Sequence, residues 1–259
     1  MKKFQILGAS LAATLALAGC GGGGGGGDGG AATAVDATPA SGASAVQGLW
    51  IGNTTTNRTI TGLVFSDGTY YVFYSPVGNA TAIAGVVQGS GTVAASAFSS
   101  SNGRDFNLEG LGVSSATVTA NYASKQSFSG MIAYPAGTIT TFTTACNATY
   151  EAAPSLASVA GTFTGRVSLS AGSQAATITV SSAGAISGNS NGCSLTGAAT
   201  PRSDGNAYNL SVTFGAAPCF LANQTLTGVA YYDSVTKRLY AVAPNAARSD
   251  GVLFVGTKP

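Results

Sequence analysis

Short runs in which apolar and polar residues alternate recur from residue 46 to residue 259. A period of two places every second side chain on the same face, which is the pattern of a strand with one buried face. The runs lie at residues 59–65, 70–74, 115–122, 127–134, 138–144, 162–169, 176–180, 208–214, 226–232, 238–242 and 252–255. This repeated alternation predicts an all-β fold.

Asp-Gly pairs interrupt the alternation and predict tight turns. They stand at residues 67–68, 204–205 and 250–251, each between two strand-like runs. Such pairs tolerate the conformations that hairpin turns require, so they favour antiparallel pairing of neighbouring strands. After the N-terminal segment, the one helical pattern is at 154–159, which is long enough for one or two turns.

The two halves of the alternating region share short sequence matches in the same order, which indicates an internal repeat. The matched segments are 48–52 with 161–165, 106–108 with 208–210, and 127–134 with 225–232. Pro154 interrupts the strand pattern between the halves. We predict two similar small antiparallel β-barrel or β-sandwich domains at residues 46–153 and 157–259, each able to fold alone. One larger barrel or sandwich is the alternative.

Closure of a sheet removes its exposed edges, which otherwise invite aggregation. In the second half, the first and last strand-like runs contain Phe163 and Phe254. We expect these two runs to pair and close a barrel.

Residues 1–19 have the features of a bacterial secretory signal. Lys2 and Lys3 precede an apolar run at 4–18, which is shorter than the roughly 20 residues of a membrane-spanning helix. The run ends in Leu-Ala-Gly-Cys at 17–20, which resembles the lipobox of bacterial lipoproteins. That resemblance implies diacylglycerol modification of the Cys20 thiol, cleavage before Cys20 and acylation of the new amine. Several acyl chains on one residue give stable membrane anchoring.

Residues 20–45 contain Cys20 and a segment of mainly Gly, Ala, Ser and Thr. Such a segment cannot bury enough apolar surface to offset its conformational entropy, so we expect a disordered, flexible tether. Gly21, rather than an aspartate, follows the cysteine. By resemblance to enterobacterial sorting, this favours the outer membrane. The periplasmic or surface orientation stays open.

The composition argues against several functional classes. The chain has no histidine, which removes Ser-His-Asp triads, Cys-His pairs and imidazole ligands for zinc. Without Lys2 and Lys3, nine of the 11 basic residues remain, which equals the nine acidic residues. The neutral chain has no basic stripe for nucleic acid. We therefore expect no enzymatic activity, no cofactor and no nucleic-acid partner.

Three cysteines remain after Cys20 is assigned to the anchor, and an odd number leaves one unpaired. Cys193 and Cys219 both lie in the second half and flank one expected hairpin, so we predict a disulfide between them. Cys146 would then be a lone thiol. A bridge between Cys146 and Cys193 is the alternative. Because the spacing is not Cys-x-x-Cys, we expect no metal site.

Two weak catalytic patterns are better explained by local structure. Ser234 and Lys237 match the Ser-x-x-Lys of penicillin-recognising enzymes, but they lie between strand-like runs and indicate a hairpin turn. Asp105 and Glu109, beside Arg104, form the closest carboxylate pair. On an extended strand they would be about 13 Å apart, which is too far for a glycosidase. We assign them to a solvated loop with a local ion pair.

Tyrosines cluster at 70–74 and at 231–240. In the first cluster, alternation places Tyr71 and Phe73 on one face of a strand and Tyr70 and Tyr74 on the other. We expect them to pack in the core or on the sheet surface. Outward-facing tyrosines that bind a glycan or a protein are the alternative. The ligand-binding residues therefore stay unassigned.

Two resemblances extend these expectations. Gly-x-Trp at 48–50 opens a strand, as in lipocalin and avidin-type barrels. The lipobox, polyglycine tether and repeated β domains together resemble surface lipoproteins of the transferrin-binding and factor-H-binding type, which implies β-barrels that act by binding. We expect a non-catalytic outer-membrane lipoprotein whose β domains bind a protein or glycan partner or serve an envelope-structural role. A lipocalin-type carrier of a small ligand is the alternative.

Overall fold

The computed structural model describes residues 42–259. The expected signal peptide, the lipidation site Cys20 and most of the expected tether lie outside the described residues. Strands are the main secondary structure of the part described, which contains no helix that is long and apolar enough to span a membrane.

The first half contains nine strands among the described residues. They are β1 (Gly48–Thr54), β2 (Thr59–Val64), β3 (Thr69–Tyr74), β4 (Gly85–Ser90), β5 (Thr92–Ala94), β6 (Ala97–Asn107), β7 (Gly112–Ala123), β8 (Ser127–Ala133) and β9 (Ile139–Asn147). One 3-10 turn precedes β1 at Gly42–Ala45, and a second follows β9 at Ala148–Glu151.

The second half contains one short helix and eight strands. They are α1 (Leu156–Val159), β10 (Gly161–Leu169), β11 (Gly172–Val180), β12 (Ala185–Ser190), β13 (Cys193–Pro201), β14 (Tyr208–Phe214), β15 (Thr225–Asp233), β16 (Arg238–Pro244) and β17 (Gly251–Thr257). Ser155 caps α1 by accepting a hydrogen bond from the Ser158 amide, and the helix falls within the predicted helical segment.

Each half closes into an antiparallel barrel, which confirms the predicted fold class. In the first barrel, β1 pairs with β9 and β4 pairs with β6, so β5 lies outside the closed ring. In the second barrel, β10 to β17 pair in chain order and β10 closes on β17, with Val167 opposite Phe254. The matched segments 48–52 and 161–165 form the opening strands of the two barrels.

The alternation in sequence accounts for the barrel interiors. Inward-facing side chains of the first barrel form one apolar cluster that includes Trp50 and Phe128, whose ring centroids are 5.5 Å apart. The Trp50 indole donates a hydrogen bond to the Val46 carbonyl. The interior of the second barrel forms a separate cluster around Phe163 and Tyr232.

A third apolar cluster lies between the barrels and contains residues of both. Tyr71 and Phe73 project from the outer face of β3 into this cluster, whereas Tyr70 and Tyr74 project into the first barrel. The Phe73 ring lies 5.5 Å from that of Tyr240 in the second barrel. The predicted division of faces is thus confirmed, and the outward tyrosines are buried rather than available to a glycan.

Polar contacts accompany the shared cluster. Tyr150, in the segment that joins the barrels, donates to the carbonyl oxygens of Val64 in the first barrel and Asp204 in the second. The Asp204 carboxylate accepts from the Ser66 hydroxyl at 2.9 Å. Burial of the Tyr231 phenol in this interface raises its pKa to about 12. The interface joins the two barrels through both apolar packing and hydrogen bonds.

The structure bears on the end of the expected tether and on the pairing of the cysteines. Gly42–Ala45 form a 3-10 turn in which Ala45 is buried, so these four residues are structured although they were assigned to the tether.

Cys193 and Cys219 form the predicted disulfide. The described residues, Cys146 included, contain no free cysteine. The expectation of a lone thiol at Cys146 is therefore wrong.

Candidate binding site at the mouth of the first barrel

Four loops surround one open end of the first barrel, which we call the mouth. They connect β1 to β2, β3 to β4, β6 to β7, and β8 to β9, at residues 55–58, 75–84, 108–111 and 134–138. Because successive strands are antiparallel, alternate connections meet at the same end of a barrel. The 3-10 turn at Gly42–Ala45 and the start of β1 lie at the opposite end, where Ala43 lies beside Gly68 of the β2–β3 turn.

The mouth encloses a cavity of about 620 Å³. Inward-facing side chains of the strands form its lower walls, and loop residues form its rim. The apolar lining residues are Ile60, Val72, Val77, Val87, Leu111, Ile132, Pro135 and Ala136. The volume lies within the range of about 300 to 1,000 Å³ that is usual for ligand sites.

Asp105 of β6 brings a carboxylate to this cavity. Its side chain is buried, and its two oxygens accept hydrogen bonds from the hydroxyl groups of Tyr74 at 2.7 Å and Tyr134 at 2.8 Å. Asn107 in turn donates to the Tyr74 hydroxyl at 3.1 Å. Burial raises the pKa of Asp105, although the two phenols lower it by stabilising the carboxylate. The pKa values of both tyrosines are raised above 10 by burial and by the adjacent carboxylate, so the phenols are neutral donors at neutral pH.

A β-bulge in β6 directs Asp105 into the barrel. Between two neighbouring paired positions, β6 advances by three residues, from Ser100 to Gly103, whereas β7 advances by only two. Phe98 and Ser100 are buried before the bulge, and strict alternation would then turn Asp105 outward. The extra residue reverses the phase, so Asp105 points inward and Phe106 faces the other barrel.

Arg58 and Glu109 form an ion pair at the rim of the mouth. The Arg58 guanidinium donates to the Glu109 carboxylate at 2.7 Å and to the Ser75 carbonyl at 2.8 Å, and it lies 5.6 Å from the centroid of the Tyr74 ring. These contacts join the β1–β2, β3–β4 and β6–β7 loops. The pair is partly exposed, so it contributes little stability and chiefly positions the loops.

Exposed aliphatic side chains cluster near this rim. Val77 is 58% exposed and Leu111 is 80% exposed, although both line the cavity. Ile139, at the first position of β9, is 58% exposed. Exposed apolar side chains beside a concave site are typical of a surface that binds a partner.

Side chains fill the centres of both barrels. The first barrel retains a space of about 30 Å³ among its aromatic side chains, and the second retains a space of about 60 Å³ with a mainly aliphatic lining. Neither space approaches the size of a small-ligand site. The concave volume of the first barrel is therefore at its mouth rather than in its centre.

Asp105 and Glu109, which the sequence analysis considered together, lie in different environments in the structure. Asp105 lies in a strand and is buried, so its assignment to a solvated loop is wrong. Glu109 does lie in the loop after β6, but its ion-pair partner is Arg58 rather than Arg104, which hydrogen-bonds to the Ser115 hydroxyl. Gly103 is the sequence signal that could have indicated the bulge in β6, because a glycine within a strand often marks a bulge.

The other singled-out residues lie elsewhere. Ser234 and Lys237 form the hairpin turn between β15 and β16, as predicted. Cys193 and Cys219 tie the loop after β14 to the start of β13, at one end of the second barrel. Within residues 42–259, no group of three or more Cys, Asp and Glu side chains is arranged to hold a metal ion.

Comparison with known proteins gives little independent guidance. No protein-family model matches the chain, and no curated protein matches it. Among solved structures, it is similar to a single-residue mutant of the vaccine antigen transferrin binding protein B from Haemophilus parasuis Hp5, with 8% identity and a TM-score of 0.27. The match covers 77% of this chain and 65% of that one. At this level, the similarity defines neither the fold nor the function.

Proposed function

We propose that the protein is a non-catalytic, lipid-anchored protein of the outer membrane that binds a partner protein through the mouth of its first barrel. The observation that carries this proposal is the mouth itself, an apolar cavity of about 620 Å³ with exposed aliphatic residues on its rim. Binding sites are commonly built on the loops of a rigid scaffold, and here four loops surround one end of a closed barrel.

The position of the mouth fits anchoring through Cys20. The chain enters the first barrel through the turn at Gly42–Ala45, at the end opposite the mouth. An anchor joined at that end leaves the mouth open to other proteins of the envelope. The support for the anchor itself is the lipobox at 17–20.

A binding role accounts better than catalysis for the chemistry of the mouth. The chain lacks histidine, and the carboxylate at the base of the cavity is hydrogen-bonded by phenols rather than placed beside a second catalytic carboxylate. Glu109, the nearest acidic residue in sequence, is paired with Arg58. These groups supply shape and polarity, with no arrangement of a nucleophile and a base.

Site-specific photocrosslinking in intact cells tests the partner and the anchor together. A photoreactive residue at Val77 is expected to form one discrete crosslinked product, and Leu111→Asp should abolish it by placing a charge on the apolar rim. The same residue at Thr179, on the exposed face of the second barrel, is the control. Identical products at Val77 and Thr179, or a product that survives Leu111→Asp, would contradict the proposal. A palmitate analogue should label the native chain and not Cys20→Ser.

A carrier of a small ligand is the second candidate, because the mouth cavity has the volume of a small-molecule site. Native mass spectrometry of the purified protein separates the two functions. A bound small molecule that is lost in Ile132→Trp, which fills the cavity, would favour the carrier. A mass equal to that of the processed, acylated chain alone favours the partner protein.

A further inference from the structure

Asp105 is unusual in this molecule because it is the only charged residue that is buried among residues 42–259. The remaining buried polar residues are Ser75, Gln88, Ser100, Thr144, Ser168 and Ser190, which are all neutral. Placing an ionised carboxylate in an apolar setting is costly unless a counter-charge accompanies it. The position of Asp105 therefore calls for a physical explanation.

The hydrogen-bond partners of Asp105 do not supply that counter-charge. Tyr74 and Tyr134 donate neutral phenol hydroxyls. Arg58 lies close enough to lower the pKa of Asp105, but its guanidinium hydrogen-bonds are directed to Glu109 and to the Ser75 carbonyl. The nearest cation is thus already paired with another carboxylate.

The surroundings of the carboxylate suit a cation on an apolar stem. One hydrogen bond to each oxygen leaves acceptor capacity on both, since a carboxylate offers about four acceptor positions. The rings of Tyr74 and Tyr134 border the same cavity, and aromatic faces attract cations. Ile60, Val72 and Ile132 provide apolar walls for the stem.

We propose that the mouth of the first barrel binds an alkylammonium group, whose nitrogen pairs with the Asp105 carboxylate while its alkyl stem packs against the aliphatic walls. This inference rests on the proposed function of the mouth and specifies the chemistry of its occupant. A lysine side chain of a partner protein and a free amphipathic amine share this chemistry.

Calorimetric titration of the mature chain with hexylammonium, 1-hexanol and hexanoate tests the inference at neutral pH. Hexylammonium should bind most tightly, because only it combines the stem with a positive charge. Equal binding of hexanol would overturn the ammonium inference while leaving an apolar site at the mouth. Tighter binding of hexanoate, or no binding of any of the three, would also overturn it. This series uses the unaltered chain, so it does not depend on the folding of a variant.

Asp105→Asn should weaken hexylammonium binding at least about tenfold, since removing one member of a buried charge pair typically costs more than one tenfold step in affinity. The variant keeps the shape of the side chain and should bind hexanol unchanged. Asp250→Asn, in the loop between β16 and β17, is the matched control and should behave as the parent protein. Equal hexylammonium affinity in Asp105→Asn would contradict the proposal.

The source of the ammonium is distinguished with a second probe. Nα-acetyl-lysine methyl ester that binds with the same dependence on Asp105 identifies a lysine side chain as an acceptable occupant. Binding of hexylammonium without binding of the lysine derivative identifies a free amine.

Discussion

The two barrels share a fold but differ at their ends. The first opens into a cavity of about 620 Å³ that contains the charged residues Arg58 and Asp105. The corresponding hollow at the disulfide-linked end of the second measures about 280 Å³, and no charged residue lines it. Its β14–β15 loop is tied down by the Cys193–Cys219 bridge. The two barrels thus have the same strand arrangement, but the first has a mouth lined by charged residues and the second has a covered end lined by uncharged ones. This difference arises in large part from the loops.

The barrels also differ in how their outer faces are used. The charge-free segment between Arg166 and Arg202 includes β11, β12 and β13, whose exposed positions are largely Ser, Thr and Asn. By contrast, β3 is apolar on both faces, and its outer side chains pack on the second barrel. A strand that is apolar on both faces is expected where both faces are covered. The interface, rather than either barrel alone, buries this surface.

The largest expected effect comes from breaking that interface. Phe73→Ala should lower the free energy of unfolding by about 3 to 5 kcal/mol, because it leaves a cavity beside Tyr240. Phe220→Ala is the matched control, since Phe220 is 65% exposed and should cost about 0.5 kcal/mol or less. Urea denaturation followed by far-UV circular dichroism measures both.

The same experiment decides whether the barrels unfold separately. Trp50, the single tryptophan, reports on the first barrel, and circular dichroism reports on both. The repeat in sequence predicted independent domains and hence two midpoints, whereas the shared apolar cluster predicts one coincident transition for the native chain. A small effect of Phe73→Ala together with two midpoints would show that the interface contributes little.

The next effect is confined to the covered end of the second barrel. Replacing Cys193 and Cys219 together by Ser should cost about 3 to 4 kcal/mol in the chain-entropy account of a loop of this length, since the cysteines are 26 residues apart. Hexylammonium binding at the first mouth should be unchanged, because the bridge lies in the other barrel. Unchanged stability, measured by urea denaturation, would indicate that the β14–β15 loop holds its position without the bridge.

Much of this architecture follows from local sequence signals. Alternation predicted eleven of the 17 strands in the described residues, Asp-Gly pairs predicted three of the turns, and the pairing of β10 with β17 was expected from the runs that contain Phe163 and Phe254. In β3, alternation also assigned Tyr71 and Phe73 to a different face from Tyr70. The strands, turns and faces depend on neighbouring residues, whereas the pairing of β10 with β17 was expected from the general advantage of closing a sheet.

The candidate site was not predicted, for two physical reasons. The bulge between Ser100 and Gly103 interrupts the alternation of β6, so no strand is predicted there and Asp105 is assigned to a loop. The mouth also assembles four loops that are distant in sequence, and Arg58 meets Glu109 across 51 positions. Local patterns carry no information about contacts at that separation.

The smallest expected effect sharpens the contrast between the buried carboxylate of Asp105 in the first barrel and the half-buried carboxylate of Asp250 in the second. Burial raises the pKa of Asp105 above its ordinary value of 3.8, and Glu109 adds to the increase, while Tyr74, Tyr134 and Arg58 oppose it. Between the unfolded and folded pKa values, the folded protein holds a proton that the unfolded chain has released. The contribution of Asp105 to stability therefore falls as the pH rises through this window.

Asp105→Asn removes the titration, so the stability of the variant relative to the native chain should rise with pH across the same window. Urea denaturation at a series of values between about pH 3 and pH 7 measures the difference, with Asp250→Asn as the control. Parallel profiles for Asp105→Asn and the native chain would show that the carboxylate titrates alike in the folded and unfolded states, and that burial in the mouth does not raise its pKa.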